Sequence, residues 1–246
     1  MVEPQFVEDE PRTNCVVLQP SYIPWRGYFH QIEKADVFVF YDDVQYDRGG
    51  WRNRNRVKTA NGPVWLTIPV AKKGSVETGA PINSIRIDWK RQWTKSHWTT
   101  IRQAYGKAPF FKTYSDLLED IYSRQPELLV DFTIDTTIEI ARLLGLGDRR
   151  FVRSSQLSAD GAKTDRLVSI LRQVGATHYV SGPSARDYLE EDKLADAGIS
   201  LEYMQYAYQP YPQLHPPFEP QVSIIDLLMM TGPEAPHFIW GEGAVA

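Results

Sequence analysis

Short apolar runs separated by segments of helical length recur along the chain. The first two runs, residues 15–18 and 36–41, are rich in β-branched and aromatic side chains and therefore predict buried strands. Residues 28–35, between them, have the length and apolar spacing of a helix. A strand, a helix and a second strand in such a short stretch predict a βαβ unit with two parallel strands.

The same alternation returns in the last third of the chain. The elements predicted there are strands at residues 151–153, 177–181 and 200–206 and helices at residues 163–174, 185–197 and 224–230. Residues 64–70 and 82–88 predict a further pair of strands, joined by a flexible connection between them. Residues 93–145 predict a purely helical segment, which Gly145 ends as a C-cap.

This order of elements predicts an α/β fold. We expect a mainly parallel sheet with helices on both faces and a helical insertion around residues 93–145. With 246 residues, 42% of them hydrophobic, the chain can bury one substantial core, so residues 15–240 are expected to form a single domain. Residues 1–14 are acidic and contain proline, which predicts a mobile, disordered tail.

Composition narrows the classes of partner. A net charge of −4 argues against a nucleic-acid partner, because no global positive field is present to hold a phosphate backbone. Cys15 is the only cysteine, which excludes an internal disulfide and any multi-cysteine metal site. No secretory signal and no apolar window long enough to span a membrane is evident, so we expect a cytoplasmic protein.

Parallel sheets bind ligands beyond the carboxyl ends of their strands, which directs attention to the loops there. The first of these loops, residues 19–28, contains the candidate ligand-binding residues Gln19, Tyr22 and Tyr28 and leads into a helix whose free N–H groups attract anions. The alternative is a rigid, proline-containing turn that is held only by packing. The loop at residues 19–28 lacks the glycine spacing of known phosphate-binding loops.

Two adjacent carboxylates, Asp42 and Asp43, follow the second strand and are candidates for catalysis, either by orienting an amine or by binding Mg²⁺. Gln45, a little further on, is a candidate for substrate binding. Adjacent residues on an extended chain point in opposite directions, so only one of the two carboxylates needs to face a site. The other would cap a turn or pair with an arginine.

A basic segment follows, in which arginine alternates with asparagine. On an extended backbone Arg52, Arg54 and Arg56 would lie on one side, with Asn53 and Asn55 on the other. Both asparagines are candidates for substrate binding, and Asn53 with Gln19 would position an acyl carbonyl. Planar guanidinium groups bind carboxylate or phosphate through two parallel hydrogen bonds, which makes Arg54 and Arg56 candidate anion receptors. A solvated basic strand that neutralises the preceding aspartates is the alternative.

Three further candidates lie later in the chain. His97 shares a predicted helix face with Trp93, Ile101 and Tyr105, where it would serve as a general base or, alternatively, as a buried structural histidine. Ser181 and Arg186 flank a turn that would close the far side of a site, or form an ordinary capped turn. The five histidines show no metal-ligand spacing, so no metal site is predicted.

Together these motifs resemble the bacterial WbqC-like family. The resemblance is carried by QPSYIPWRGYF, YDDVQY, WRNRNR, the helix around Trp93 and His97, and SGPSARDYL, and it runs from about Val16 to about Leu228. The resemblance implies an association with gene clusters for O-antigen and other surface polysaccharides. The role suggested for family members there is transfer of glycine or another aminoacyl group to a sugar.

The first strand and its turn also look like the nucleotide-binding core of adenylate-forming ligases. Those enzymes have histidines in this turn, where this chain has Tyr22, Pro24 and Tyr28. We therefore expect a small-molecule transferase or ligase that joins an amino acid or acyl group to an amine of an amino sugar, with ATP and Mg²⁺ as the leading cofactor candidate. The alternative is a non-catalytic protein that binds a nucleotide-sugar or glycan precursor. The substrate is expected to be anionic, and oligomeric state stays open.

Overall fold

The computed structural model describes residues 12–71 and 79–241, which form seven strands and eight α-helices. In chain order they are β1 (Asn14–Leu18), α1 (Arg26–Lys34), β2 (Val37–Phe40), β3 (Arg54–Thr59), β4 (Gly62–Thr67), α2 (Trp93–Tyr105), α3 (Phe111–Ser123), α4 (Leu129–Leu143), β5 (Arg150–Arg153), α5 (Lys163–Gln173), β6 (His178–Ser181), α6 (Glu191–Asp196), β7 (Ser200–Tyr203), α7 (Ile224–Thr231) and α8 (His237–Trp240). Residues 1–11 of the expected tail, and residues 72–78 of the expected flexible connection, lie outside the described residues.

Five of the strands form one parallel sheet in the order β5–β2–β1–β6–β7. The chain moves from β1 outward through β2 to β5, returns to β6 on the other side of β1, and then continues outward to β7. The connections that leave β1 and β6 therefore run in opposite directions, which creates a switch point between these two strands. The prediction of an α/β fold with a mainly parallel sheet is confirmed.

Helices cover both faces of the sheet, as alternate side chains of the central strands show. All four residues of β2 are buried, which is typical of a parallel strand inside a sheet. Phe38 and Phe40 belong to the larger hydrophobic cluster, with α1 and the helices α2, α3 and α4. Val37 and Val39 belong to a second cluster, with α5 and α6. No described helix is both long enough and apolar enough to cross a bilayer.

Of the strand pair expected at residues 64–70 and 82–88, the first strand forms within β4, whereas the second strand and the expected pairing are wrong. β4 instead pairs antiparallel with β3, which the basic segment forms, through a two-residue turn before Gly62. Gly62 has a φ of 97°, which glycine adopts without strain. Residues 82–88 begin with a short 3₁₀ turn and make only isolated bridges, such as Val70 to Ile87.

The expectation of one continuous helix at residues 185–197 is also wrong, because the chain forms two short helical pieces there. A 3₁₀ turn covers Pro183–Asp187, and α6 begins only at Glu191. Between them Tyr188 leaves the helical region of backbone conformation, with a φ of −141°. The interruption places Tyr188 on the surface beside the carboxyl end of β1, where the candidate site lies.

Candidate functional site

A cavity of about 800 Å³ lies at the carboxyl end of β1, beside the switch point of the sheet. It is bounded by the last residues of β1, the loop to α1, one side of α1, the segment that enters β3 and the loop after β6. Its volume is within the usual range of small-molecule sites. Open α/β sheets bind their ligands at this position, so the cavity is the candidate site.

Aromatic rings and uncharged polar groups make up most of the lining. The aromatic residues that line the cavity are Trp25, Tyr28, Tyr41, Trp51 and Tyr188. Trp25, Trp51 and Tyr188 expose 36%, 43% and 73% of their surface, so their rings are available to a ligand. Amide side chains from Gln19, Gln31 and Asn55 lie among them. Such a lining suits a ligand with both flat and hydrogen-bonding parts.

Arg52 is the only charged side chain among the described residues that line the cavity. One of its terminal nitrogens donates to the side-chain oxygen of Gln19. Its Nε is buried without a hydrogen-bond partner and lies 3.8 Å from a carboxylate oxygen of Asp47. Burial lowers the pKa of Arg52, and the nearby carboxylate of Asp47 partly offsets this decrease. The guanidinium nevertheless keeps its charge, as it does in proteins generally. Arg52 therefore offers the cavity a charged and only partly satisfied donor.

The amino-terminal end of α1 adds to this positive potential. Its first turn carries no acidic residue, and Trp25, its N-cap, makes no capping hydrogen bond through its side chain. Free N–H groups at such an end favour an anion. The cavity thus combines a helix terminus with a guanidinium at the end of β1.

The loop between β1 and α1 is held in an unusual conformation by Asn55. The side-chain amide of Asn55 donates to the backbone carbonyls of Tyr22, at 3.1 Å, and Ile23, at 2.8 Å. Ile23 has a φ of 35°, which is strained for a β-branched residue. Asn55 is 3% exposed, so it fixes this strained loop from beneath the cavity.

A second anchor ties the loop to the helical insertion. The hydroxyl of Tyr22 contacts Nδ1 of His97 and also the hydroxyl of Tyr122, and all three side chains are buried. Burial lowers the pKa of His97 to about 4, so its ring is neutral at physiological pH. His97 and Tyr22 do not line the cavity at the end of β1. Their contacts are those of a positioning pair for the loop.

Asp42 and Asp43 connect the ends of β2 and β5. Asp42 is fully buried and accepts from the backbone N–H of Ser155 at 2.9 Å and from its hydroxyl at 2.7 Å. Asp43 accepts from the hydroxyl of Ser154 at 2.6 Å and pairs with Arg166. Neither aspartate lines the cavity. Their oxygens are taken up by the protein itself.

The predicted alternation is seen at residues 53–56, but the expected place of Arg52 on the same side as Arg54 and Arg56 is wrong, because Arg52 precedes β3 and lines the cavity together with Asn55. Asn53 and Asn55 are buried, whereas Arg54 and Arg56 lie on the outer face of the hairpin. Both arginines stack on the indole of Trp65, at 4.3 Å and 5.6 Å from its centroid. They lie outside the cavity lining.

Arg54 and Arg56 are nevertheless joined to the cavity through its neighbours. Arg56 donates at 3.0 Å to Gln221, which lines the cavity. The ring of Trp65 lies 5.3 Å from that of Trp51, another lining residue. The two arginines therefore form a basic flank beside the candidate site.

The remaining candidates lie elsewhere. The hydroxyl of Ser181 donates to that of Tyr179, and Arg186 stacks on the ring of Tyr203. Gln45 is exposed and pairs with Pro81 in an isolated bridge. Asn53 donates to the backbone of Ile68. Of the residues expected from sequence to bind substrate, the structure brings Gln19, Tyr28 and Asn55 together at the cavity.

Sequence reasoning missed several lining residues, among them Trp25, Gln31, Trp51 and Arg52 as the receptor. Arg52 belongs to the predicted series of alternating arginines, so the sequence shows that it is a potential anion receptor. Its position at the end of β1, however, depends on how the segment before β3 folds back. Gln31 lies inside a helix, where no sequence signal distinguishes it from a surface glutamine. Its burial, at 5% exposure, is a tertiary property.

Within residues 12–71 and 79–241, no three histidine, cysteine or acidic side chains come together as a possible set of metal ligands. Cys15 is fully buried, and burial raises the pKa of its thiol to about 12. A protonated, enclosed thiol is not a nucleophile at neutral pH.

Comparison with known proteins gives two matches. The model of the WbqC-like protein family matches residues 19–238. The Mycobacterium tuberculosis protein named Uncharacterized protein Rv1507c is 40% identical over 225 residues, which cover 91% of this chain and 96% of that protein. No solved structure matches the chain significantly.

Proposed function

The chain belongs to the WbqC-like protein family, and from the cavity at its switch point we propose that it is a small-molecule transferase or ligase with an anionic substrate. The observation that carries this proposal is the guanidinium of Arg52 in a cavity whose other described lining residues are all uncharged. Arg52 would hold a carboxylate or phosphate, and the aromatic walls would hold the rest of the molecule.

The described lining contains no aspartate, glutamate, histidine, lysine or cysteine. This favours a reaction that depends on positioning and charge stabilisation rather than on a protein base. Activation of an amino acid by ATP meets this condition, because the substrate carboxylate is itself the nucleophile. Its oxygen attacks the α-phosphorus of ATP, and the bond to the departing pyrophosphate breaks.

An amine then attacks the acyl carbon, AMP leaves, and the proton released from the amine passes to solvent. We propose glycine or another small amino acid as the acyl group and an amino sugar as the acceptor. Because Asp42 and Asp43 are engaged by Ser154, Ser155 and Arg166, Mg²⁺ would be held mainly by the phosphates and water.

Arg52, Gln19 and Asn55 have separate parts in this proposal. Arg52 binds the anionic group, and Gln19 orients its guanidinium through their hydrogen bond. Asn55 keeps the strained loop, and with it the start of α1, in place. Arg54, and to a smaller extent Arg56, whose charge Glu219 partly offsets at 3.8 Å, raise the positive potential beside the cavity and so attract an anion towards it.

The second candidate is a binding protein for a nucleotide-sugar or glycan precursor, without catalysis. It is favoured by the same observation, that the described lining residues include no carboxylate, imidazole, amine or thiol. It would use Arg52 for the diphosphate and the exposed rings of Trp25 and Trp51 for the sugar or base.

Calorimetric titration of the purified protein with ATP–Mg²⁺, coenzyme A, glycine and a set of nucleotide-sugars tests both candidates. We expect an anionic ligand to bind, and Arg52→Ala to weaken it by about tenfold or more. Arg186→Ala, which removes an arginine stacked on Tyr203, should leave affinity unchanged. Pyrophosphate release in the presence of an amine acceptor would establish the ligase, and tight binding without turnover would establish the binding protein.

A further inference from the structure

One side of α1 presents a flat ring and an amide to the cavity. A Cβ at position 27 would lie 2.3 Å from Cζ2 of the Trp25 indole, so the ring lies directly over the first turn of the helix at Gly27. Gln31 is four residues after Gly27 and therefore lies on the same face, one turn further on. Both Trp25 and Gln31 line the cavity.

Gln31 has an unmet hydrogen-bonding capacity. Its side-chain Nε2 donates to the hydroxyl of Tyr206 at 2.8 Å, whereas its Oε1 is buried and has no hydrogen-bond partner. The residue is only 5% exposed. A buried acceptor without a donor is costly, and a ligand N–H in the cavity would satisfy it.

Tyr206 holds the two residues as one unit. Its ring packs edge-on against the Trp25 indole, with centroids 5.1 Å apart at 70°, while its hydroxyl accepts from Gln31. Tyr208 also packs against the indole, with centroids 5.9 Å apart at 77°. The indole and the amide are therefore fixed before a ligand arrives, which reduces the entropic cost of binding.

We propose that Trp25 and Gln31 form a nucleobase subsite, in which the base stacks on the indole and donates an N–H group to Oε1 of Gln31. A base carries both the flat π-face and the edge donors that these two residues require. A nucleotide also joins such a base to phosphates, which Arg52 in the same cavity would bind. The part of the inference in which Arg52 binds the phosphates of the same nucleotide rests on the proposed function.

The test compares tripolyphosphate, which carries the anion alone, with ATP, GTP, CTP and UTP by calorimetric titration of the full chain. At least one nucleotide is expected to bind about tenfold or more tightly than tripolyphosphate. Gln31→Leu should remove most of that advantage and level the preference among the four bases, while tripolyphosphate affinity stays within about twofold. Gln31→Glu, which keeps an acceptor oxygen in the same shape, should retain more of the preference.

Different failures of this test have different meanings. If nucleotides bind and Gln31→Leu keeps the wild-type advantage and base preference, the subsite is disproved while the proposed function stands. If tripolyphosphate and all four nucleotides bind equally, the base makes no contact and the subsite is again disproved. If no anionic ligand binds and Arg52→Ala changes nothing, the proposed function and the subsite both fail.

Discussion

The hydroxyl of Tyr22 lies 2.9 Å from Nδ1 of His97, although 75 residues separate them in the chain. Tyr22 belongs to the loop after β1, and His97 belongs to the first helix of the insertion. The contact means that the shape of the ligand-facing loop depends on the packing of the helical insertion. His97 is thus connected to the candidate site through a backbone that it positions.

The burial of His97 predicts a loss of stability in acid. Burial lowers the pKa of His97 from 6.5 to about 4, so protons bind the unfolded chain more tightly than the folded one. The stabilisation is complete above about pH 6.5 and is lost as the pH falls towards 4, by an amount on the order of 3 kcal/mol. His97→Asn should flatten this part of the stability curve in denaturant unfolding measured at a series of pH values.

Part of the loss of stability in acid should remain in both the wild type and His97→Asn, because burial also lowers the pKa of His30 to about 4. His215→Asn serves as the control for removing a histidine elsewhere in the chain. An unchanged acid dependence in His97→Asn would show that the buried Tyr22–His97 contact does not govern stability in this range.

Asn55 and Asn53 offer a matched pair for separating stability from binding. Both are buried amides of the basic segment, two residues apart, but Asn55 donates to the carbonyls of Tyr22 and Ile23, whereas Asn53 donates to that of Ile68. Alanine at either position leaves buried carbonyls unpaired and should cost about 1–3 kcal/mol of unfolding free energy. Only Asn55→Ala should also weaken binding of the anionic ligand, by about tenfold, because only it releases the strained loop.

Urea unfolding and calorimetric titration of the two variants measure the two effects. Equal losses of affinity in both variants would mean that the hairpin acts on the site through general destabilisation.

The first βαβ unit could be predicted because β1 and β2 are short apolar runs that differ in composition from the helix between them, and the structure buries all of β2 and the middle of β1. The alternation of Asn53 and Asn55 with arginine was also legible, since period-two patterning survives in any extended strand. The pairing of β3 with β4 could not be predicted, because β3 is polar and the buried amides of Asn53 and Asn55 hydrogen-bond to backbone carbonyls far away in the sequence. Such bonds leave no trace in local sequence.

The two aspartates show a different limit of sequence reasoning. A pair of carboxylates at a strand end suits catalysis and structural bonding equally, and only the positions of Ser154, Ser155 and Arg166 distinguish the two. These partners come from a segment more than a hundred residues later, as the separation of 112 residues between Asp42 and Ser154 shows. The site as a whole depends on such long-range approaches.

Asp42 is therefore expected to act on stability rather than on chemistry. Asp42→Ala removes a fully buried carboxylate that accepts from the hydroxyl of buried Ser154 at 3.1 Å and from the N–H and hydroxyl of Ser155, which should cost about 2 kcal/mol of unfolding free energy. Ligand affinity at a temperature where the variant stays folded should remain within about twofold of wild type. A variant that keeps wild-type stability but loses turnover would instead make Asp42 a catalytic residue.

Gly27→Ala isolates the position of the Trp25 ring. Alanine in a helix ordinarily stabilises a protein by about 0.5–1 kcal/mol relative to glycine, but here the new methyl would lie 2.3 Å from the indole and displace it. Thermal stability should therefore change little, whereas affinity for the ligand that stacks on Trp25 should fall by about tenfold. In Gly147→Ala, the control, the nearest atom is Cγ of the Arg142 side chain at 3.1 Å, outside the cavity. A stabilised Gly27→Ala variant with unchanged affinity would show that the indole can move aside without cost, and that its place over Gly27 is a consequence of helix packing alone.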